Sequence, residues 1–162
     1  MATTLSDMLL WLEELGLSVW IRESAYGFSL MVAVHILGLT LSVGILLWVD
    51  LRLLGLAMRR VPTEDVYRSL APWFLAGFAL MLTSGLSLFA AFATAAYGNF
   101  YFRLKMAVLV LAGVNALVYH FMTERRASAE SSLAAARWAG GASLVCWLAV
   151  IVAGRMMSYT MF

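Results

Sequence analysis

The chain has 162 residues, of which 64% are hydrophobic and only 12% charged, with a net charge of +2. A soluble domain carries about 25% charged residues, so this composition describes an integral membrane protein, a single membrane domain with almost no soluble part. The small, scattered charge leaves no footprint for nucleic acid, and the lone cysteine, Cys146, excludes an intrachain disulfide and a cysteine-based metal cluster.

The N-terminus lacks the basic stretch of a signal peptide and carries Asp7, Glu13 and Glu14 instead, so it is expected to be retained. Ser6 is a candidate N-cap for a short amphipathic helix over about 6–20, with Asp7 in its first turn. Its leucines, its acids and the flanking Trp11 and Trp20 suit a segment lying in the membrane interface.

The first span is read over Tyr26–Val49, 24 residues without Asp, Glu, Lys or Arg. As a helix it is roughly 36 Å long, enough to cross a bilayer core of about 30 Å. It carries His35, one of two histidines in the protein. Gly38 and Ser42 follow at helical spacing, so the histidine is expected to look along a strip of little side-chain bulk. Asp50 and Arg52 end the span as an ion pair or helix-end anchor.

Pro62, Thr63, Glu64 and Asp65 form a helix-start signal. Pro72 is expected to kink or break that helix at the membrane edge. The second span is placed at about 73–96, followed by a turn at Tyr97-Gly98-Asn99. Arg103 and Lys105 open a third span at about 104–123, which contains Asn115, Tyr119 and His120. A fourth, at about 138–161, contains one charge, Arg155. The expected fold is therefore all-α: a four-transmembrane-helix bundle with a short N-terminal interfacial amphipathic helix.

Loop Lys and Arg residues set orientation. Arg52, Arg59, Arg60, Arg68, Arg125, Arg126 and Arg137, seven in all, fall on one side, against four on the other: Arg22, Arg103, Lys105 and Arg155. This places both termini outside, periplasmic in a bacterial inner (plasma) membrane.

Phosphate loops, nucleophile elbows, metalloprotease helices and paired intramembrane carboxylates are absent from the sequence. Hydrolysis and phosphoryl transfer are set aside. The second span offers Thr83, Ser84 and Ser87 as scattered polar residues, which does not describe a conduction pathway. An ionisable side chain deep in a span is costly and marks a candidate functional position. Gly113, Ala116 and His120 share one helix face by spacing, echoing His35 and Gly38. Two intramembrane histidines beside small residues are what a b-type haem needs: imidazole for the iron, glycine for close approach of the ring. The same spacings also serve plain helix contact. Depth separates the two histidines: His35 lies roughly 14 Å and His120 roughly 24 Å from the outer edge, so either helix tilt or slippage brings them to one iron or they serve different sites, and both stay candidate cofactor and metal ligands. Lys105 either snorkels to the headgroups or faces the cofactor. Arg103 and Arg155 are candidates for haem propionates or lipid phosphates.

The runs AVHILGLTLSVGILLWVDLRLLG, APWFLAGFALMLTSGLSLF and FYFRLKMAVLVLAGVNALVYH, with the ending AGR, resemble an uncharacterised bacterial family of small four-helix inner-membrane proteins over nearly the whole chain. More distantly, the first and third spans resemble CopD-type copper-resistance membrane domains and HemJ-type b-haem proteins. The HemJ resemblance implies a haem site at His35 and Lys105. Three functions follow. The leading one is a haem b protein in electron transfer, partnered by quinone or a redox subunit. The others are a copper-handling protein and a cofactor-free structural subunit. Whether the chain is an enzyme is left open, and homo-oligomers are compatible with it.

Overall fold

The computed structural model describes residues 4–57, 63–125 and 129–161, with the side chains of 63, 64, 66, 67, 119–125 and 129–133 outside that description. Arg59, Arg60, Pro62 and Arg126 therefore lie outside the described residues, as do the side chains of Tyr119 and His120.

The described residues form seven helices: α1 (Leu5–Glu13), α2 (Gly16–Glu23), α3 (Gly27–Leu53), α4 (Thr63–Ala91), α5 (Ala93–Gly98), α6 (Phe100–Arg125) and α7 (Ala129–Met161). Four of them are long and apolar enough to cross a membrane, through Gly27–Leu53, Arg68–Ala91, Phe100–Val118 and Ala134–Met161. Most of their side chains point outward. Leu37, Val110 and Leu148 each expose more than three-fifths of their surface, as expected of helices solvated by acyl chains.

Lipid tails are as apolar as leucine, so the bundle gains nothing by hiding leucine from them and relies on close backbone approach. α3 packs chiefly on α4, α6 on α7, and α3 also on α7. At the α3–α4 crossing a Cβ on Gly38 would stand 2.5 Å from the Met81 nitrogen, and one on Gly77 would stand 2.8 Å from the Ser42 nitrogen. Ser42 is buried there and donates back to the Gly38 carbonyl at 2.8 Å. At the α3–α7 crossing, a Cβ on Gly140 would stand 3.0 Å from the Asp50 carbonyl oxygen. α3 ends where Gly55, at φ 74°, takes the left-handed conformation that closes helices.

Three boundaries differ from expectation. The interfacial segment is two helices, because Leu15 is extended at ψ 139° and redirects the chain before Gly16. Ser18 Oγ fastens the corner by donating to the Leu12 carbonyl at 2.7 Å. Its first turn is held by Thr4 rather than Ser6: the Thr4 amide and hydroxyl both donate to the Asp7 carboxylate, at 3.0 and 2.6 Å. These bonds hold Asp7 below the usual carboxylate range, the side-chain bond contributing most.

The second span stops at Ala91, short of the expected 96, because Phe92 leaves helical geometry and α5 begins separately. The N-terminal helices supply both broken ends. Arg22 donates to the Ala91 carbonyl at 2.9 Å, and the Thr94 amide donates to Glu13 at 2.7 Å. Finally, α4 runs through Pro72 unbroken. The proline removes one bond, to the carbonyl of residue 68. Arg68 is exposed, so that carbonyl stands where another donor can reach it.

Candidate functional site

His35 projects from α3 toward α4. Its Nδ1 lies 3.0 Å from the Met81 carbonyl oxygen and 3.1 Å from Ser84 Oγ. A carbonyl only accepts, so the neutral ring carries its proton on Nδ1. The Ser84 hydroxyl is itself directed at the Leu80 carbonyl, at 2.6 Å, which leaves its oxygen to receive the histidine. The Met81 carbonyl and Ser84 thus fix both ring orientation and tautomer. Nε2 keeps its lone pair and has no hydrogen-bond partner among the described residues. That is the arrangement by which proteins prepare a histidine to bind metal.

Gly85 completes the seat. A Cβ there would stand 3.0 Å from His35 Cε1, so only glycine lets the imidazole lie against α4. Neither Ser84 nor Gly85 stood out in the sequence as a partner of His35. The signal was present in the adjacent Ser-Gly pair of an otherwise apolar span, but its pairing with α3 required the crossing.

Lys105 reaches the same region from α6. Its Nζ lies 3.8 Å from where a Gly154 Cβ would be, so the side chain runs along α7 at a glycine. The ammonium is within electrostatic range of His35. It has no hydrogen bond or ion pair among the described residues. The side chain therefore turns into the bundle rather than snorkelling outward, and α3, α4, α6 and α7 all contribute to one locality.

The other expected positions lie elsewhere. The strip at Gly38 and Ser42 is filled by the α4 backbone, so these residues are a helix crossing and offer no room for a flat ring. Gly113 has no neighbouring atom within 4 Å of its Cβ position, and Ala116 is exposed; Ala112 is the residue that α6 turns inward, at 7% exposure. The Gly113 face therefore points away from His35. Arg103 is exposed, and Arg155 is exposed and engaged with Tyr159, its guanidinium 2.9 Å from the hydroxyl and 4.6 Å from the ring centre.

His120 lies 15 residues beyond Lys105 on the same helix. That is about 22 Å of rise, far beyond the reach of an imidazole. Because Lys105 is level with His35, the two histidines of one chain cannot share an iron. Asn115 makes the interhelical contact its position suggested, donating to the Ala139 carbonyl on α7 at 3.0 Å.

Among the described residues no three His, Cys, Asp or Glu side chains converge. A bare metal ion at His35 would thus lack donors, whereas a macrocycle brings its own ring of nitrogens and asks the chain for one axial ligand or two.

No curated protein and no solved structure matches the chain. A family model described as a family of unknown function, DUF6644, matches residues 8–160. The four apolar helices and the His35 locality all fall within that match, and the chain belongs to this family.

Proposed function

We propose that this four-helix membrane protein binds b-type haem through Nε2 of His35 and serves in electron transfer with a quinone or a redox partner protein. The observation that carries the reading is the seating of His35. Two oxygens of α4 hold its Nδ1, and Nε2, the nitrogen free to bind metal, has no hydrogen-bond partner among the described residues. An intramembrane imidazole prepared in this way needs a ligand to justify its cost. Haem would supply a one-electron couple. The chain's own part would be to offer Nε2 of His35 as a ligand, to fix its direction through Met81 and Ser84, and to supply the Lys105 ammonium as a counter-charge for a propionate. The distant resemblance to HemJ-type proteins at His35 and Lys105 points the same way. The copper-handling alternative suggested by the CopD resemblance is the second reading, and metal analysis of the purified protein separates it from haem.

The loop charges support a bacterial inner-membrane location with both termini outside, seven Lys and Arg against four. A reporter fused after the last residue should be active only outside the cytoplasm.

The haem reading is tested by a dithionite-reduced minus oxidised spectrum of the purified protein. A b-type spectrum in the native protein, lost or converted to high spin in His35→Ala, is the expected result. Colourless protein from haem-replete cells, or an unchanged spectrum in His35→Ala, would overturn it.

A further inference from the structure

Asp50 is a second ionisable group inside the membrane part of the chain, and the haem reading does not use it. It sits on α3 at the crossing with α7, 4% exposed. Ser143 of α7 bonds to its carboxyl. Its other oxygen, Oδ2, is buried without a hydrogen-bond partner among the described residues. Gly140 brings the two backbones together beside it, a Cβ there standing 3.0 Å from the Asp50 carbonyl oxygen, so the carboxyl has little freedom to swing out.

An ionised carboxylate has only acceptor oxygens and needs donors or a cation on each. Among the described residues, the charged groups of the surrounding helices do not supply one. On α3, Arg52 is two residues on, and residues two apart do not share a helix face. On α7, Arg137 is exposed; on α4, Asp65 and Arg68 are exposed. Lys105, Arg103 and Arg155 belong to the other end of the bundle. Asn115 of α6 is committed to the Ala139 carbonyl. His120 of α6 has its side chain outside the described residues, and its backbone lies five residues past Asn115 toward the helix end. A proton held on Oδ2 would relieve the uncompensated charge without calling on any of these groups.

We propose that Asp50 is a proton-binding site, its carboxyl holding an exchangeable proton on Oδ2. The proton comes from the aqueous side nearest the end of α3. Asp50 is three residues from Leu53, the last residue of α3, a rise of about 5 Å. It is 15 residues from His35, about 22 Å, so exchange with the opposite side is remote. The site stands whether or not the chain binds haem.

Two measurements on the full chain in lipid nanodiscs test the site. Dicyclohexylcarbodiimide adds only to a protonated carboxyl, which gives its proton to a nitrogen while its oxygen bonds the central carbon. The expected result is modification on the Asp50 peptide, read by mass spectrometry, falling as pH rises from about 5 to about 9. The second measurement is the infrared difference between native protein and Asp50→Asn, which keeps the shape of the neutral acid. It should contain the carbonyl stretch of a protonated carboxyl, decreasing over the same pH range. A titrating band supports the site even where the reagent cannot reach the carboxyl. Absence of the band, or a band constant throughout, would overturn the proposal.

Discussion

Nδ1 of His35 stands 3.0 Å from the main-chain carbonyl oxygen of Met81. That single distance ties the tautomer of an α3 side chain to the backbone of α4. No substitution at Met81 removes the carbonyl, so the adjustable partner is the hydroxyl. Ser84→Ala is expected to leave haem bound but to change the axial imidazole's orientation and basicity. Outer-shell partners of ligating histidines affect metal affinity by about 10–100-fold, and a haem titration of the Ser84→Ala apoprotein reads this directly. Affinity and spectrum identical to the native protein would show that the hydroxyl has no part in the site.

His120→Ala should retain the spectrum that His35→Ala loses. The two residues are separated by about 22 Å of helix rise, measured from Lys105. Equal and complete loss in both folded variants would mean that His120 acts across two copies of the chain or that α6 sits at another level.

Lys105 bears on potential. A cation beside a haem disfavours the ferric state, so Lys105→Met should lower the midpoint potential, on the order of 60 mV for a tenfold change in a one-electron couple. Redox titration followed at the haem band measures it. An unchanged midpoint would place the ammonium outside the field of the iron.

Gly38 and Gly113 separate packing from cofactor contact. Gly38→Ala drives a methyl to within 2.5 Å of the Met81 nitrogen, and overpacking of this kind costs about 1–3 kcal/mol. Gly113→Ala meets nothing within 4 Å and should not reduce stability. Thermal unfolding of apoprotein in detergent compares them. Equal midpoints would contradict the α3–α4 crossing.

The span pattern was legible in the sequence because hydropathy and length alone decide it: Tyr26–Val49 holds no charge, and charged loops separate the spans. The site was only half legible. His35 and Lys105 announce themselves, since a polar group in an apolar run has few readings. Which side of α3 faces α4 is decided by the Gly38–Gly77 crossing, and one chain carries no signal for which small residues meet. Hence the strip at Gly38 reads equally well as room for a ring and as room for a helix, and nothing in the sequence marks Ser84 and Gly85 as partners of His35. The break at Phe92 was hidden for a similar reason, because its caps come from Arg22 and Glu13, far away in sequence.

Acid should loosen the first turn of α1. Asp7 titrates below its ordinary value because Thr4 bonds its ionised form. A depressed folded value means that the stabilisation is full above the unfolded carboxylate range, about pH 3.9, and is lost as pH falls through the lower folded value. Amide protection over residues 5–8, taken relative to the intrinsic exchange rate at each pH, should therefore fall on acidification, and Asp7→Asn should remove most of that pH dependence. Protection in Asp7→Asn that responds to pH as the native protein does would reject the assignment.

The bonds from Arg22 and Glu13 to the α4–α5 break span 69 and 81 positions of sequence. Translation delivers the interfacial helices first, yet neither side chain has its partner until Ala91 and Thr94 have left the ribosome. These two bonds therefore close only after α4 is complete, and the N-terminal helices act as the latch of that end of the bundle rather than its foundation.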